Sequence, residues 1–232
     1  RQLLAGGTLR YDKLDQAFDG QRLEDGSEDY RFIPGLFAQY EHIFNPSWRG
    51  LVGFRADHYD QHGFIFSPRF NLKIRAADHT TIRLNAGTGF RIVNLFTEEH
   101  DVLSGSRRVV IDGNLDPERS FNGTLNINQI VDIGFSVLNI DLDLFHTYFS
   151  NQIIPDYSSP NEIRYSNLNG HAVSRGASLS AAHNFPGPLM YSVGVTVQDV
   201  FKEEDGIKAP LLYAPEWSSV FSLSYRLETL KT

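Results

Sequence analysis

LNIDLDLFHTYFS, residues 138–150, decides the fold class. Leu138, Ile140, Leu142 and Leu144 alternate with Asn139, Asp141 and Asp143. Successive side chains on a strand point to opposite faces, so the stretch makes one apolar wall and one acidic wall. A helix would scatter the same residues round its circumference. What the two walls meet determines what the protein does.

The same alternation recurs along the chain. Ile82, Leu84 and Ala86 stand against Thr81, Arg83 and Asn85; Val193, Val195 and Val197 stand against Gly194, Thr196 and Gln198. Strands are expected over 3–11, 32–43, 49–60, 64–76, 80–90, 118–130, 136–150, 163–183 (broken near Gly170), 189–201 and 218–228. That is about ten strands, many near the 9–11 residues that cross a bilayer at a tilt. No segment holds a helical period over three turns, so the class is all-β.

Composition narrows the alternatives. The 232 residues are 41% hydrophobic, enough for a core, and carry a formal charge of −7 with no cysteine. An acidic chain with a pI near 5.6 is a poor nucleic-acid partner. The missing thiols exclude disulfides and thiolate metal sites. Mean hydropathy is −0.29, and no run approaches the ~18 apolar residues of a spanning helix. A membrane β-barrel escapes that test, because its lipid face is hidden in alternation. The chain opens and closes in strand-like sequence, RQLLAGGTLRY and FSLSYRLETLKT, and reads as a piece of a longer protein.

Connections alternate in length. Residues 44–48, 76–79, 131–135 and 184–189 are tight and rich in Pro, Gly, Asn or Asp, whereas 12–31, 92–117, 158–162 and 202–217 read as longer loops. Only 60–63 is short where the scheme expects length. Short turns at one rim and long loops at the other are the layout of an outer-membrane barrel. Aromatic residues at strand ends, among them Tyr11, Phe32, Phe44, Trp48, Tyr59, Phe64, Phe90, Phe149, Phe185, Tyr191, Phe201 and Trp217, fit the two girdles of such a barrel. On the lipid face an Arg or Lys near mid-bilayer costs about 2–4 kcal/mol. Lys73, Arg75 and Arg83 all fall on the polar parity, while Arg175 shares parity with Val173, Ala177 and Leu179 and is expected to sit near a rim or snorkel.

Five motifs in order carry a resemblance. Ser67-Pro68-Arg69, then Leu84, Gly87, Gly89-Phe90-Arg91 and Asn94-Leu95-Phe96 are followed by NLDPERSFNGTLNI, with Leu115, Pro117, Glu118, Ser120 and Asn122. DLFHTYFSNQI, RYSNLNGHAVSRGASLS and YAPEWSSVFSLSY complete the series. Over residues 30–228 this resembles the barrel of TonB-dependent outer-membrane receptors, in a Bacteroidetes-like style. Val93 stands where that family usually has Pro, and Ser178 where it usually has Glu.

The resemblance implies that residues 1–232 are part of an antiparallel, up-and-down transmembrane barrel of 22 strands, without the plug and the last strands. Ten strands are too few to enclose a plug, since barrel diameter grows with strand number, so two open sheet edges are expected. The implied function is active uptake of a scarce nutrient (siderophore-iron, cobalamin, haem or glycan) across a bacterial outer membrane. Implied partners are the TonB–ExbB–ExbD complex, reached through the plug, outer-membrane lipid and lipopolysaccharide, and a metal chelate or glycan substrate. Arg91, Asn94, Glu98, Glu99 and His100 become candidate ligand contacts at the extracellular mouth. Arg69, Arg83, Glu118, Arg119, Asp141 and Asp143 become candidate contacts of the lumen and plug.

Other classes remain as alternatives: a soluble or surface-exposed all-β binding module, and a plugless porin or adhesin. Enzymatic chemistry has no foothold, for there is no phosphate loop, HExxH or GxSxG. His58 and His62 lie four apart, a zinc spacing on a helix but not at a hairpin tip, and no metal or cofactor is assigned.

Overall fold

Each long alternating segment becomes a strand. The computed structural model describes residues 1–14, 17–18, 21–22, 29–92, 108–111, 115–185, 187–211 and 214–227. The strands are β1 (Gln2–Leu14), β2 (Ala17–Phe18), β3 (Gln21–Arg22), β4 (Asp29–Asn45), β5 (Trp48–Tyr59) and β6 (Gly63–Phe66). They continue with β7 (Arg69–Ala77), β8 (Thr80–Arg91), β9 (Arg108–Ile111), β10 (Glu118–Ile133), β11 (Ser136–Phe149) and β12 (Ile153–Asp156). The last are β13 (Glu162–Asn167), β14 (Gly170–Asn184), β15 (Leu189–Glu204), β16 (Ile207–Pro210) and β17 (Trp217–Tyr225).

Twelve of them form one antiparallel sheet in the order β1-β4-β5-β7-β8-β10-β11-β14-β15-β16, with β6 also on β5 and β17 also on β15. β6 and β7 are one crossing interrupted at Ser67-Pro68. Ser67 still exchanges backbone bonds with Arg55 (2.8 and 3.2 Å), whereas Pro68 has no N–H to give. β16 and β17 likewise share β15, so the sheet amounts to ten crossings. Among the described residues no pairing joins β1 to β17, and both edges are open.

Turn chemistry explains one rim. At 45–48 the Asn45 side-chain oxygen accepts from the Ser47 and Trp48 amides (2.8 and 2.9 Å), and at 133–136 Gly134 supplies a φ of 60°. The other rim departs from expectation in two places. Residues 202–217 are not one long loop, because Asp205 (φ 52°) and Gly206 (φ 77°) make a two-residue hairpin that returns as β16. The stretch 163–183 is two strands in different sheets. β13 belongs to a small loop-side sheet, β12-β13-β9, whose β13–β9 pairing is parallel. Asn167 ties that sheet down by bonding both the Asp116 backbone and the Asn151 carbonyl.

Register carries the two-walled character across strands. Gly50, Leu72, Leu84, Leu125, Leu144, Ala177, Val197 and Trp217 stand directly opposite one another in sequence across eight strands. A second outward row runs Trp48, Ile74, Ile82, Ile127, Leu142, Leu179, Val195 and Ser219. Between them lies Arg49, Lys73, Arg83, Asn126, Asp143, Ser178, Thr196 and Ser218, on the opposite face. The outward apolar side chains are exposed, among them Leu179, Val195, Phe221 and Leu223. A soluble sandwich would bury such a face, so this wall needs an apolar solvent.

Buried side chains gather toward the loop-side rim. Ile33, Tyr59 and Ile65 form a small core with Phe90 and Ile92 against it. Tyr59 is therefore a core residue and not part of a girdle. Ile153, Ile163, Tyr165 and Leu168 are buried at the loop-side sheet. At the short-turn rim His183, Phe185 and Tyr191 cluster, with ring centroids 4.1–5.7 Å apart.

Arg175 keeps its outward parity, opposite His146 and Asp199. It lies nine residues from the Asn184 end of β14, about 23 Å of height for ~3.3 Å per residue at a ~40° tilt, near the top of a ~25 Å apolar band. There it pairs with Asp199 (3.0 Å), which also takes Lys208 (3.1 Å), and both cations lie over the Phe201 ring.

Candidate functional site

The inward face of the sheet is the wall that could meet a passing ligand. From the short-turn rim upward it is built of lateral rows, one residue from each strand, because opposite residues share a face. One charged row begins with Arg49, Lys73 and Arg83; the next inward row toward the short turns runs Arg75, Thr81, Asn128 and Asp141. Arg49 pairs with Glu41 (3.1 Å), while Arg83 donates to the Asn126 side-chain oxygen (2.8 Å).

Beside it stands an amide and carboxylate ladder on β10 and β11. Asn126 donates to Asp143 (2.8 Å); Asn128 and Asn139 each donate to Asp141 (2.9 Å). Asp141 and Asp143 thus share the inward face, half-buried, with amide donors as neighbours.

Higher up, glycines make room for reaching side chains. Arg69 on β7 lies across Gly53 on β5 to bond Gln39 on β4, the three being in register. A Cβ at Gly53 would meet Arg69 Nε at 2.7 Å and Cγ at 2.9 Å. Arg55 grips Asp57 through two bonds (2.6 and 2.8 Å), and Asp57 leans over Gly35 with 2% of its surface exposed. Arg10 reaches the Tyr59 hydroxyl (3.3 Å). At the top, Arg91 pairs with buried Glu118 (2.7 Å), whose other oxygen accepts the Ile153 amide (2.8 Å). Glu118 thereby braces the loop-side sheet.

Two clefts open at that rim. One, of about 410 Å³, is lined by Gln61, His62, Asp116, Arg119, Ser150 and Asn151 among others; its neighbour, of about 330 Å³, adds Phe66, Phe121 and Tyr148. Burial holds His62 below the ordinary imidazole value; Asp116 opposes the shift and Arg31 adds to it. Asp156 is held below the usual carboxylate range by the amide and hydroxyl of Ser158 (2.9 and 3.0 Å).

The structure brings Arg69, Arg83, Asp141 and Asp143 to one face and gives Arg91 and Glu118 to each other. Arg119 is a correction. It alternates with Glu118 and shares the parity of Phe121, the outward one, so it faces the rim cleft and not the lumen. Asn94, Glu98, Glu99 and His100 lie outside the described residues. His58 packs edge-on to Phe64 on the outward face (4.8 Å) while His62 lines the cleft, so the two do not converge. Among the described residues no three His, Asp or Glu side chains gather as a metal site. Arg55, Asp57 and Gly35 escape a reading of the sequence, although GLFAQY and GFRADHY place a Gly and an i, i+2 charge pair on one inward parity.

The family model described as TonB dependent receptor-like, beta-barrel, matches residues 2–231. The chain belongs to the TonB-dependent receptor family. Such barrels are outer-membrane proteins of Gram-negative bacteria, and that is the compartment of this one. The apolar rows of the receptor therefore face lipid and the charged rows face its lumen.

Solved structures agree on the fold. The siderophore receptor PirA from Pseudomonas aeruginosa is 18% identical with a TM-score of 0.65, over 95% of this chain and 42% of its own. The ferric enterobactin receptor PfeA, from the same organism, is 20% identical (TM-score 0.68; 96% and 36%). The FrpB iron transporter from Neisseria meningitidis is 17% identical (0.64; 98% and 38%). The receptor chain thus spans less than half the length of the structures it matches. No curated protein matches it.

Proposed function

We propose that residues 1–232 are part of the wall of an outer-membrane active transporter that takes up chelated iron, energised by TonB–ExbB–ExbD through a plug that fills the lumen. The carrying observation is the charged inward row, Arg49 to Ser218, running between two apolar rows for eight strands. A surface of that kind belongs between hydrocarbon and a wet interior. Barrels of 16 or more strands leave a channel too wide for side chains to fill, and 22-stranded transporters hold a plug. The matched structures are described as a siderophore receptor, a ferric enterobactin receptor and an iron transporter, which favours siderophore-iron over cobalamin, haem or glycan. Binding, closure and release require no bond-making at the lumen wall, so the role is transport and not catalysis.

The test is uptake of radiolabelled iron, supplied as ferric siderophores, by cells expressing the full-length receptor. Uptake is expected to need both the receptor and TonB. Uptake independent of TonB would instead favour a plugless porin, and growth on none of the iron chelates would reopen the substrate class.

A further inference from the structure

The wall is split above Ser67-Pro68. β7 pairs with β8 only as far as Arg69 opposite Gly87, and Thr88 closes the seam with one more backbone bond, to the Pro68 carbonyl (3.1 Å). Above that point β6 stays on β5 while β8 continues on β10, so the two part. The outward cleft of about 330 Å³ lies in this gap. Ile65 and Phe90 close its back, and the exposed rings of Phe66, Phe121 and Tyr148 form an apolar lip. Its polar groups are few. The Thr88 hydroxyl, at the cleft wall, is buried with no hydrogen-bond partner among the described residues. Arg119 stands above it, exposed, and among the described residues it has no ion-pair partner. Neighbouring cations on this face are engaged: Arg175 and Lys208 share Asp199, and His171 lies 3.7 Å from Glu203. Glu118, next to Arg119 in sequence, is taken by Arg91 on the inward wall.

We propose that this cleft holds one phosphorylated lipid of the outer leaflet, the lipid A end of lipopolysaccharide, with a phosphate on Arg119. The heights match. Arg119 lies 14 residues from the Ile133 end of β10, about 35 Å above the short turns at ~3.3 Å per residue and a ~40° tilt, in the headgroup layer above a ~25 Å apolar band. Phe121, with Thr88 opposite it, is about 30 Å up, the level of ester and amide carbonyls, to which the unmet Thr88 hydroxyl donates. Gly123, with Ala86 opposite it, is about 25 Å up, at the top of the band. Between Phe70 and His146 these two small residues leave a trough down which an acyl chain runs toward Leu84 and Leu125. A guanidinium suits phosphate through paired N–H donors and keeps its charge at any pH of the membrane surface. Inorganic phosphate would leave the apolar lip uncovered, and an uncharged lipid would leave Arg119 unpaired. The site needs the barrel's outer-membrane placement and is independent of the substrate transported.

The test is native mass spectrometry of the full-length receptor, extracted in detergent, stripped of lipid and offered defined lipids one at a time. The lipids are bisphosphorylated lipid A, the same lipid dephosphorylated, and phosphatidylglycerol. Bisphosphorylated lipid A is expected to give a one-to-one adduct that survives collisional activation. The adduct should fall about tenfold or more in Arg119→Gln, the loss of one charge-assisted contact, and by a similar factor without the phosphates. Gly123→Leu fills the trough, where a Cβ meets nothing closer than the Asn85 carbonyl oxygen at 3.9 Å, so the barrel folds and the adduct falls. Heat-modifiable migration on gels checks that folding. Arg83→Gln, the same charge lost from the lumen wall, leaves the adduct unchanged. Equal adducts for the unaltered receptor and Arg119→Gln, or for lipid A with and without phosphate, would overturn the proposal. So would preferred retention of phosphatidylglycerol, or displacement of the lipid by millimolar inorganic phosphate, which would make Arg119 a bare anion site.

Discussion

Leu179 and Ser178 are consecutive on β14, at the same depth, and point to opposite walls. Leu179 stands between Leu142 and Val195 on the outward face and is 53% exposed, whereas Ser178 stands between Asp143 and Thr196 on the inward face. Leu179 lies five residues from the Asn184 end of its strand. At ~3.3 Å per residue and a ~40° tilt that is about 13 Å above the short turns, close to the middle of a ~25 Å apolar band. Leu179→Arg therefore places a guanidinium where it costs about 2–4 kcal/mol. A cost of that size lowers the folded-to-unfolded ratio by about one and a half to three orders of magnitude. Ser178→Arg puts the same group on the polar inward wall opposite Asp143, and its effect is expected to stay well below that of Leu179→Arg, within about 1 kcal/mol. The assay is folding of the full-length receptor into lipid vesicles, followed by heat-modifiable migration on gels and by equilibrium denaturant titration. Equal penalties for the two variants, or a larger one for Ser178→Arg, would refute the assignment of faces.

Gly53→Val should clash with the Arg69 side chain and break its bond to Gln39, costing about 1–3 kcal/mol in the same titration; Gly194→Val, where Ser180 Cβ is 3.8 Å away, is the tolerant comparison. Glu118→Gln should weaken the pairing with Arg91 while keeping an acceptor for Ile153, so loop-side proteolysis rises less than in Glu118→Ala; equal cleavage of the two would count against the brace. His62 should titrate below 6.5 by NMR. Its depressed value means the stability it contributes is full above pH 6.5 and is lost as pH falls through the folded-state value; a value above 6.5 would mean the side chain is not buried.

Periodicity made the wall legible and left the rims obscure. In the middle of β8, β11 and β15 apolar and polar side chains alternate, as at 81–85, 138–144 and 193–198, so strand, face and even the polar parity of Lys73 and Arg83 can be read off directly. The loop-side elements have no such period. β9, β12 and β13 are short, and their pairing depends on Asn167 holding distant backbone groups, which is invisible in a linear reading. The Asp205-Gly206 hairpin was legible in principle, since that dipeptide suits two positive φ angles, but the acidic run around it reads as a solvated loop. Arg119 shows the limit of residue type as a guide: a charge at a strand end is free to face either way, and only its parity with Phe121 decides. Asp57 was hidden because its burial depends on Gly35 from another strand offering no side chain.

Residues 1–232 contain no cysteine, so single nitroxides can be placed on β14 without background from this segment. Ala177→Cys, Ser178→Cys, Leu179→Cys, Ser180→Cys, Ala181→Cys and Ala182→Cys, spin-labelled in the full-length receptor in vesicles, measure contact with membrane-dissolved oxygen directly. Oxygen collision rates are expected to be high at 177, 179 and 181 and low at 178, 180 and 182. A flat profile, or maxima at the even positions, would contradict the claim that the leucine-bearing wall is bathed in lipid.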